Sequence, residues 1–153
     1  MNVTRWVRVG LPNGQIARSR WKGELKPLNQ LRMARNVEVK HNGQIHIAEI
    51  HFYAHLTLLD KDHFVAVGSF YGEPHPELYR QSNKTYITVQ HAQDIDVRVV
   101  PIKSILSVVM MAPDPRYPLF FRDGTEKDRY FLMRRPGLKL AEMLGEQEED
   151  VEI

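Results

Sequence analysis

The chain has 153 residues, enough for one domain with a packed core and too few for two comfortable ones, and its 42% hydrophobic and 26% charged content matches an ordinary globular protein rather than a disordered one. With no cysteine, disulfide frameworks, thiolate zinc sites and thiol nucleophiles are all excluded. The start of the chain lacks the layout of a signal peptide, and no apolar run approaches the length of a membrane span, so a soluble domain with no membrane partner is expected.

The net charge is only +2, but it is unevenly spread. Within residues 1–40, Arg5, Arg8, Arg18, Arg20, Lys22, Lys26, Arg32, Arg35 and Lys40 face only Glu24 and Glu38, whereas residues 145–153 form an acidic tail with no basic residue. A basic leading segment can attract phosphate groups.

Taken in chain order, Thr4 to Leu11 alternates in the manner of a strand, and Asn13-Gly14 turns it into a returning arm from Gln15 to Trp21, the signature of a hairpin. Leu25 to Ala34, with Pro27 suited to a first turn and apolar Leu28 and Leu31, predicts one short helix. Val37 to Lys40 leads through His41-Asn42-Gly43 into a long strand from Ile45 to Leu59. There, strict alternation places Ala48, Ile50, Phe52, Ala54, Leu56 and Leu58 on one face and Glu49, His51, Tyr53, His55 and Thr57 on the other. His63 to Tyr71 follows, and the prolines of Gly72 to Pro76 break it. Further strands are expected at Thr85 to Gln90, Asp96 to Val100, Ile102 to Met110 and Arg129 to Arg134, with Ile102 to Met110 buried on both faces. Ala112 to Pro118 reads as a loop, Asp123-Gly124 as a turn and Pro136 to Leu144 as a terminal helical turn. The sum is a mainly β domain over residues 1–144, arranged as a small SH3-like barrel with one or two short helices.

Catalytic chemistry finds little support. His51 and His55 are four apart, but on a strand that spacing separates them by about 13 Å, too far to share a metal ion unaided. Ser69 lies inside a strand pattern without the strained turn of a serine nucleophile, and no phosphate-cradling glycine motif is present. A non-catalytic protein without cofactor or metal is expected. Trp6, between Arg5 and Arg8, and Trp21, between Arg20 and Lys22, interleave rings with cations as nucleic-acid surfaces do. The candidate nucleic-acid-binding residues are therefore Arg5, Arg8, Arg18, Arg20, Trp21, Lys22 and Arg35.

Two resemblances bear on context. The runs LPNGQIARSRWKGELKPLNQLRMARNV, PIKSILSVV and YFLMRRPGLKLAEM resemble, in the same order, a C-terminal region of transposase-like proteins encoded by transposable elements of mushroom-forming fungi, which implies a transposon origin. Ile47-Ala48-Glu49-Ile50, Ser69 to Pro74, Tyr86 to His91 and Tyr130-Phe131 are similar to segments of the bromo-adjacent homology domain, a β-barrel chromatin module, over residues 43–134. This similarity implies a nuclear, chromatin-associated role. Ser69 stands where that family commonly has tryptophan, which would leave an aromatic cage incomplete. The expectation is a domain that binds nucleic acid or chromatin through its basic leading surface. The alternative is a module that reads a histone tail or partner peptide with Tyr53, Phe70 and Tyr71.

Overall fold

The computed structural model describes residues 2–21, 34–91, 95–113 and 129–133. Lys22, most of the helix expected at Leu25 to Ala34, the Asp123-Gly124 turn, the helical turn from Pro136 and the acidic tail lie outside them.

The spine is a 15-residue strand, β5 (Gln44–Leu58), flanked by β4 (Asn36–His41) and β6 (Lys61–Phe70). Both joints are two-residue turns with positive φ at each residue: Asn42 and Gly43 in one, Leu59 and Asp60 in the other. That backbone matches the twist of the strands it joins. Asn-Gly adopts it cheaply, whereas Leu59 does so with its Cβ crowded against the backbone. The sheet continues outward to β8 (Val97–Pro101) beyond β6 and to β9 (Ile105–Val108) beyond β4, while β1 (Val3–Trp6) lies antiparallel to Tyr53–Leu56 of β5. Along one edge β5 therefore borders β4 for its first part and β1 for its last.

Between Ile50 and Phe52 the register of β5 against β6 shifts by one residue, a bulge at His51. An extra residue turns every later side chain over. Ala48 and Ile50 face the core before the bulge and Tyr53 does so after it, so Tyr53, rather than Phe52, is fully buried. The uninterrupted alternation expected from Ile45 to Leu59 is corrected accordingly. The backbone groups disturbed by the bulge find partners in the incoming chain: the N–H groups of Arg20 and Trp21 donate to the carbonyls of Ile50 and His51 at 2.8 Å each. Gly68 is required opposite the bulge, because a Cβ there would sit 2.8 Å from the Glu49 carbonyl oxygen.

The Asn13-Gly14 hairpin forms as expected, between β2 (Arg8–Gly10) and β3 (Ile16–Arg18), but Val7 bends the chain so that β1 belongs to the large sheet and β2 to the hairpin. Leu11 and Ala17 of this hairpin cover the main core of Val37, Val39, Ala48, Ile50, Tyr53, Ala66, Phe70, Val100, Ile105 and Val108. On the opposite face of the large sheet, Ile47 and Tyr71 pack with Val89 and Val109 against a three-stranded sheet. Its strands are β7 (Thr88–Gln90), β11 (Arg129–Met133) and β10 (Met110–Pro113).

The mainly β expectation holds. Barrel closure does not: β8 and β9 end the large sheet without pairing to each other, and the sheets stay open among the described residues. The apolar run Ile102 to Met110 is not one doubly buried strand. It divides into a 3-10 turn at Ile102–Ser104, β9, and the start of β10, and Leu106 and Met110 are exposed. The loop expected from Ala112 begins later, since β10 continues to Pro113. The helix of the described residues, α1 (Pro76–Gln81), starts inside the segment read as a break, with Pro76 in its first turn and the His75 ring accepting from the Leu78 N–H. No helix among them is long and apolar enough to cross a membrane.

Candidate nucleic-acid interface

The structure divides the described arginines of the leading segment among three environments. The first is a buried carboxylate. Glu49, just before the bulge, is almost wholly enclosed, with Arg35 Nε at 3.2 Å, Arg20 Nη1 at 3.5 Å and His91 Nε2 at 3.8 Å. Burial pushes its carboxyl toward protonation, but the adjacent His91 and the charges of Arg35 and Arg20 outweigh that and hold it below the ordinary glutamate value. Arg20 and Arg35 are thus paired with an acid of their own chain, each still partly exposed.

The second environment is aromatic. Arg5 lies across from Ala54 on β5, and its guanidinium sits 5.1 Å from the Trp21 ring centre and 5.4 Å from that of Phe52. Trp21 consequently spends a face on a cation of its own chain.

The third is open. Arg8 and Arg18 are direct cross-strand partners in the β2–β3 hairpin, so their side chains leave the same face, while the next pair, Val9 and Ala17, turns inward to the core. Neither arginine has a carboxylate partner among the described residues. Two like charges set opposite each other repel, and an anion placed between them relieves that repulsion. The Arg18 carbonyl accepts a 3.1 Å bond from Tyr53 Oη, tying the hairpin to the core beside Trp6, the cross-strand partner of Tyr53.

Trp6 stands at the outer end of the core face, beyond the cover of the hairpin. It lies 5.9 Å from Phe64 and 6.2 Å from His55, nearly parallel to both, and His55 and Phe64 stack at 4.6 Å. Trp6 and Phe64 are 37% and 49% exposed, large values for rings that touch one another. Asp62 accepts from Thr57 at 2.8 Å and pairs with His55 Nε2 at 3.0 Å, which fixes the imidazole orientation. These hydrogen bonds, from Thr57 first and His55 next, hold the Asp62 carboxyl below its usual range.

The rings expected to read a peptide are mostly core. Tyr53 and Phe70 are fully buried, Phe70 with the Arg98 guanidinium 4.5 Å from its ring centre, so neither offers a surface to a ligand. Burial also pushes the Tyr53 and Tyr71 phenols well above their ordinary value. Tyr71 is buried too, with its hydroxyl donating to Asn36 Oδ1 at 3.0 Å, but it lines a cleft of about 200 Å³ together with Tyr79, Glu38, Glu73, Ile47 and Leu132. Tyr79 and Phe64 were not singled out by sequence reasoning, and His55 was weighed there only as a metal ligand beside His51 and as part of a polar strand face, not as a stacking ring. Alternation marks them as strand or turn residues, and only the cross-strand register and the turn into α1 bring them to a site. Ser69 is buried with its Oγ 2.6 Å from His51 Nε2. Among the described residues no three His, Asp or Glu side chains gather as a metal-holding group.

No protein-family model matches this chain, and no curated protein or solved structure shows significant similarity to it.

Proposed function

We propose that this domain is a non-catalytic binding module of transposon origin that engages nucleic acid, as free polymer or in chromatin within the nucleus. The surface is narrower than the whole basic leading segment: it comprises Arg8 and Arg18 with the adjacent Trp6. The observation that carries the reading is the facing Arg8–Arg18 pair, aimed outward with no acid among the described residues to neutralise it. Phosphate contacts of this kind position a polymer without reading bases, so binding is salt-dependent and weakly sequence-selective. Anisotropy titrations over a range of salt test it. Replacing Arg8 and Arg18 together by glutamine lowers the slope of log K against log salt by roughly 0.7–0.9 for each phosphate no longer neutralised. Absence of binding at low salt, or an unchanged slope, refutes the reading.

A second reading, a module for a basic peptide such as a histone tail, is favoured by the cleft. Tyr71 and Tyr79 offer ring faces, Glu38 and Glu73 offer negative charge, and Ile47 and Leu132 suit the alkyl stem of a lysine or arginine. Under this reading a lysine peptide binds, the same peptide with norleucine does not, and Tyr79→Ala weakens binding about tenfold, the order of one cation–π interaction. Calorimetry on the peptide pair decides it, and equal affinity for both peptides rejects it.

A further inference from the structure

The geometry points to a single strand, with unpaired bases, as the form of nucleic acid held at this surface, the bases adding to the Trp6, His55 and Phe64 stack while Arg8 and Arg18 take the neighbouring phosphates. This inference rests on the function proposed above and narrows its ligand.

The three rings arise from the register. His55 faces Phe64 directly across β5 and β6, and Trp6 enters close to His55 on β1, opposite Tyr53. Because the bulge at His51 reverses the alternation, these positions continue the core face past the point where the hairpin covers it. The rings lie within 14° of parallel, and half of Phe64 and over a third of Trp6 remain exposed to water. A near-parallel group of this kind can be lengthened by one more flat ring. The His55–Asp62 pair keeps the imidazole from rotating out of the array.

In a duplex each base face is already covered by its neighbours, so exposed protein rings gain nothing except at an end. In a single strand the faces are free, and stacking on aromatic side chains accepts any base. Arg8 is two residues beyond Trp6 across the bend at Val7, a link no longer than roughly 7 Å even if fully extended, which places a cation within a nucleotide's reach of the ring group. Aromatic side chains also stack on sugar rings. The facing arginine pair distinguishes the two, since a neutral glycan gains nothing from two repelling cations.

The experiment measures anisotropy of the full chain with a labelled oligothymidylate, an oligouridylate, a duplex of equal length and an abasic strand of equal length, with a neutral β-glucan as competitor. The strands carrying bases are expected to bind about tenfold or more tightly than the abasic strand and the duplex, the order of one stacked base. Trp6→Ala and Phe64→Ala should bring them down to the abasic level, and Trp6→Phe should keep most of the affinity while circular dichroism confirms the fold of each variant. Duplex or abasic affinity equal to that of the strand, ring variants without effect, or displacement by the glucan overturns the inference. If duplex and abasic DNA bind in a salt-dependent manner and bases add nothing, the single-strand preference alone falls. If no oligonucleotide binds at low salt, the proposed function falls with it.

Discussion

Glu49 shows how one carboxylate can decide what a basic sequence is free to do. Its oxygens hold Arg20 and Arg35, which a charge count places on an anion-binding surface. The carboxyl is held below its ordinary value of 4.5, so the unfolded chain takes up a proton at higher pH than the folded one. Stability from this group is complete above that value and is lost as pH falls through the lower, folded one. Glu49→Gln should cost about 2 kcal/mol at neutral pH, below the full cost of breaking a buried pair because the arginines are partly solvated. It should also flatten the acid limb of the stability curve. Urea unfolding of both proteins from neutral to acid pH checks the two effects, and parallel acid limbs would show that Glu49 does not carry that dependence. The candidate residues were legible as types but not as partners. Arg8 and Arg20 look alike in the sequence, and only the fold gives Arg20 an acid while Arg8 has none among the described residues.

At the level of elements, the turns were the most readable parts. Asn42-Gly43 and the glycine of Asn13-Gly14 name their own backbone, because Asn42, Gly43 and Gly14 take positive φ, which asparagine and glycine accept at little cost. Leu59-Asp60 makes the same kind of turn with the wrong residues, and Leu59 is 89% exposed there, so no buried contact offsets the strain. Leu59→Asn with Asp60→Gly should raise stability by roughly 1–2 kcal/mol, read as a higher melting temperature. No gain would mean that the leucine side chain is held by contacts that compensate. The bulge was not legible. Period-2 alternation carries no mark for one inserted residue, and the apolar series from Ala48 to Leu58 reads equally well on either side of His51. That single residue exchanges Phe52 for Tyr53 in the core and puts His55 beside Phe64. The helix α1 was hidden for another reason: the prolines that exclude a central strand also suit a helix start, and Pro76 does the latter.

For the molecule as a whole, strand content was legible because short alternating runs between turn signals leave few other choices. Closure was not, since it depends on whether the first and last strands of a sheet meet, a long-range fact with no local signature. The sheet therefore keeps free borders. Because β5 changes neighbours along one edge, from β4 to β1, its distal part depends on four residues near the start of the chain for half of its ladder bonds. Deleting residues 2–6 would bare the N–H and C=O groups of Tyr53 to Leu56, a ready template for another strand. The shortened protein should then self-associate, with the β1 strip of one copy's spine open to the next, and sedimentation velocity should show oligomers that the intact chain lacks at equal concentration. The first strand thus has two tasks: it carries Trp6 to the surface, and it caps the last four ladder positions of the spine, exchanging a long strand's bare edge for the short one of its own four residues.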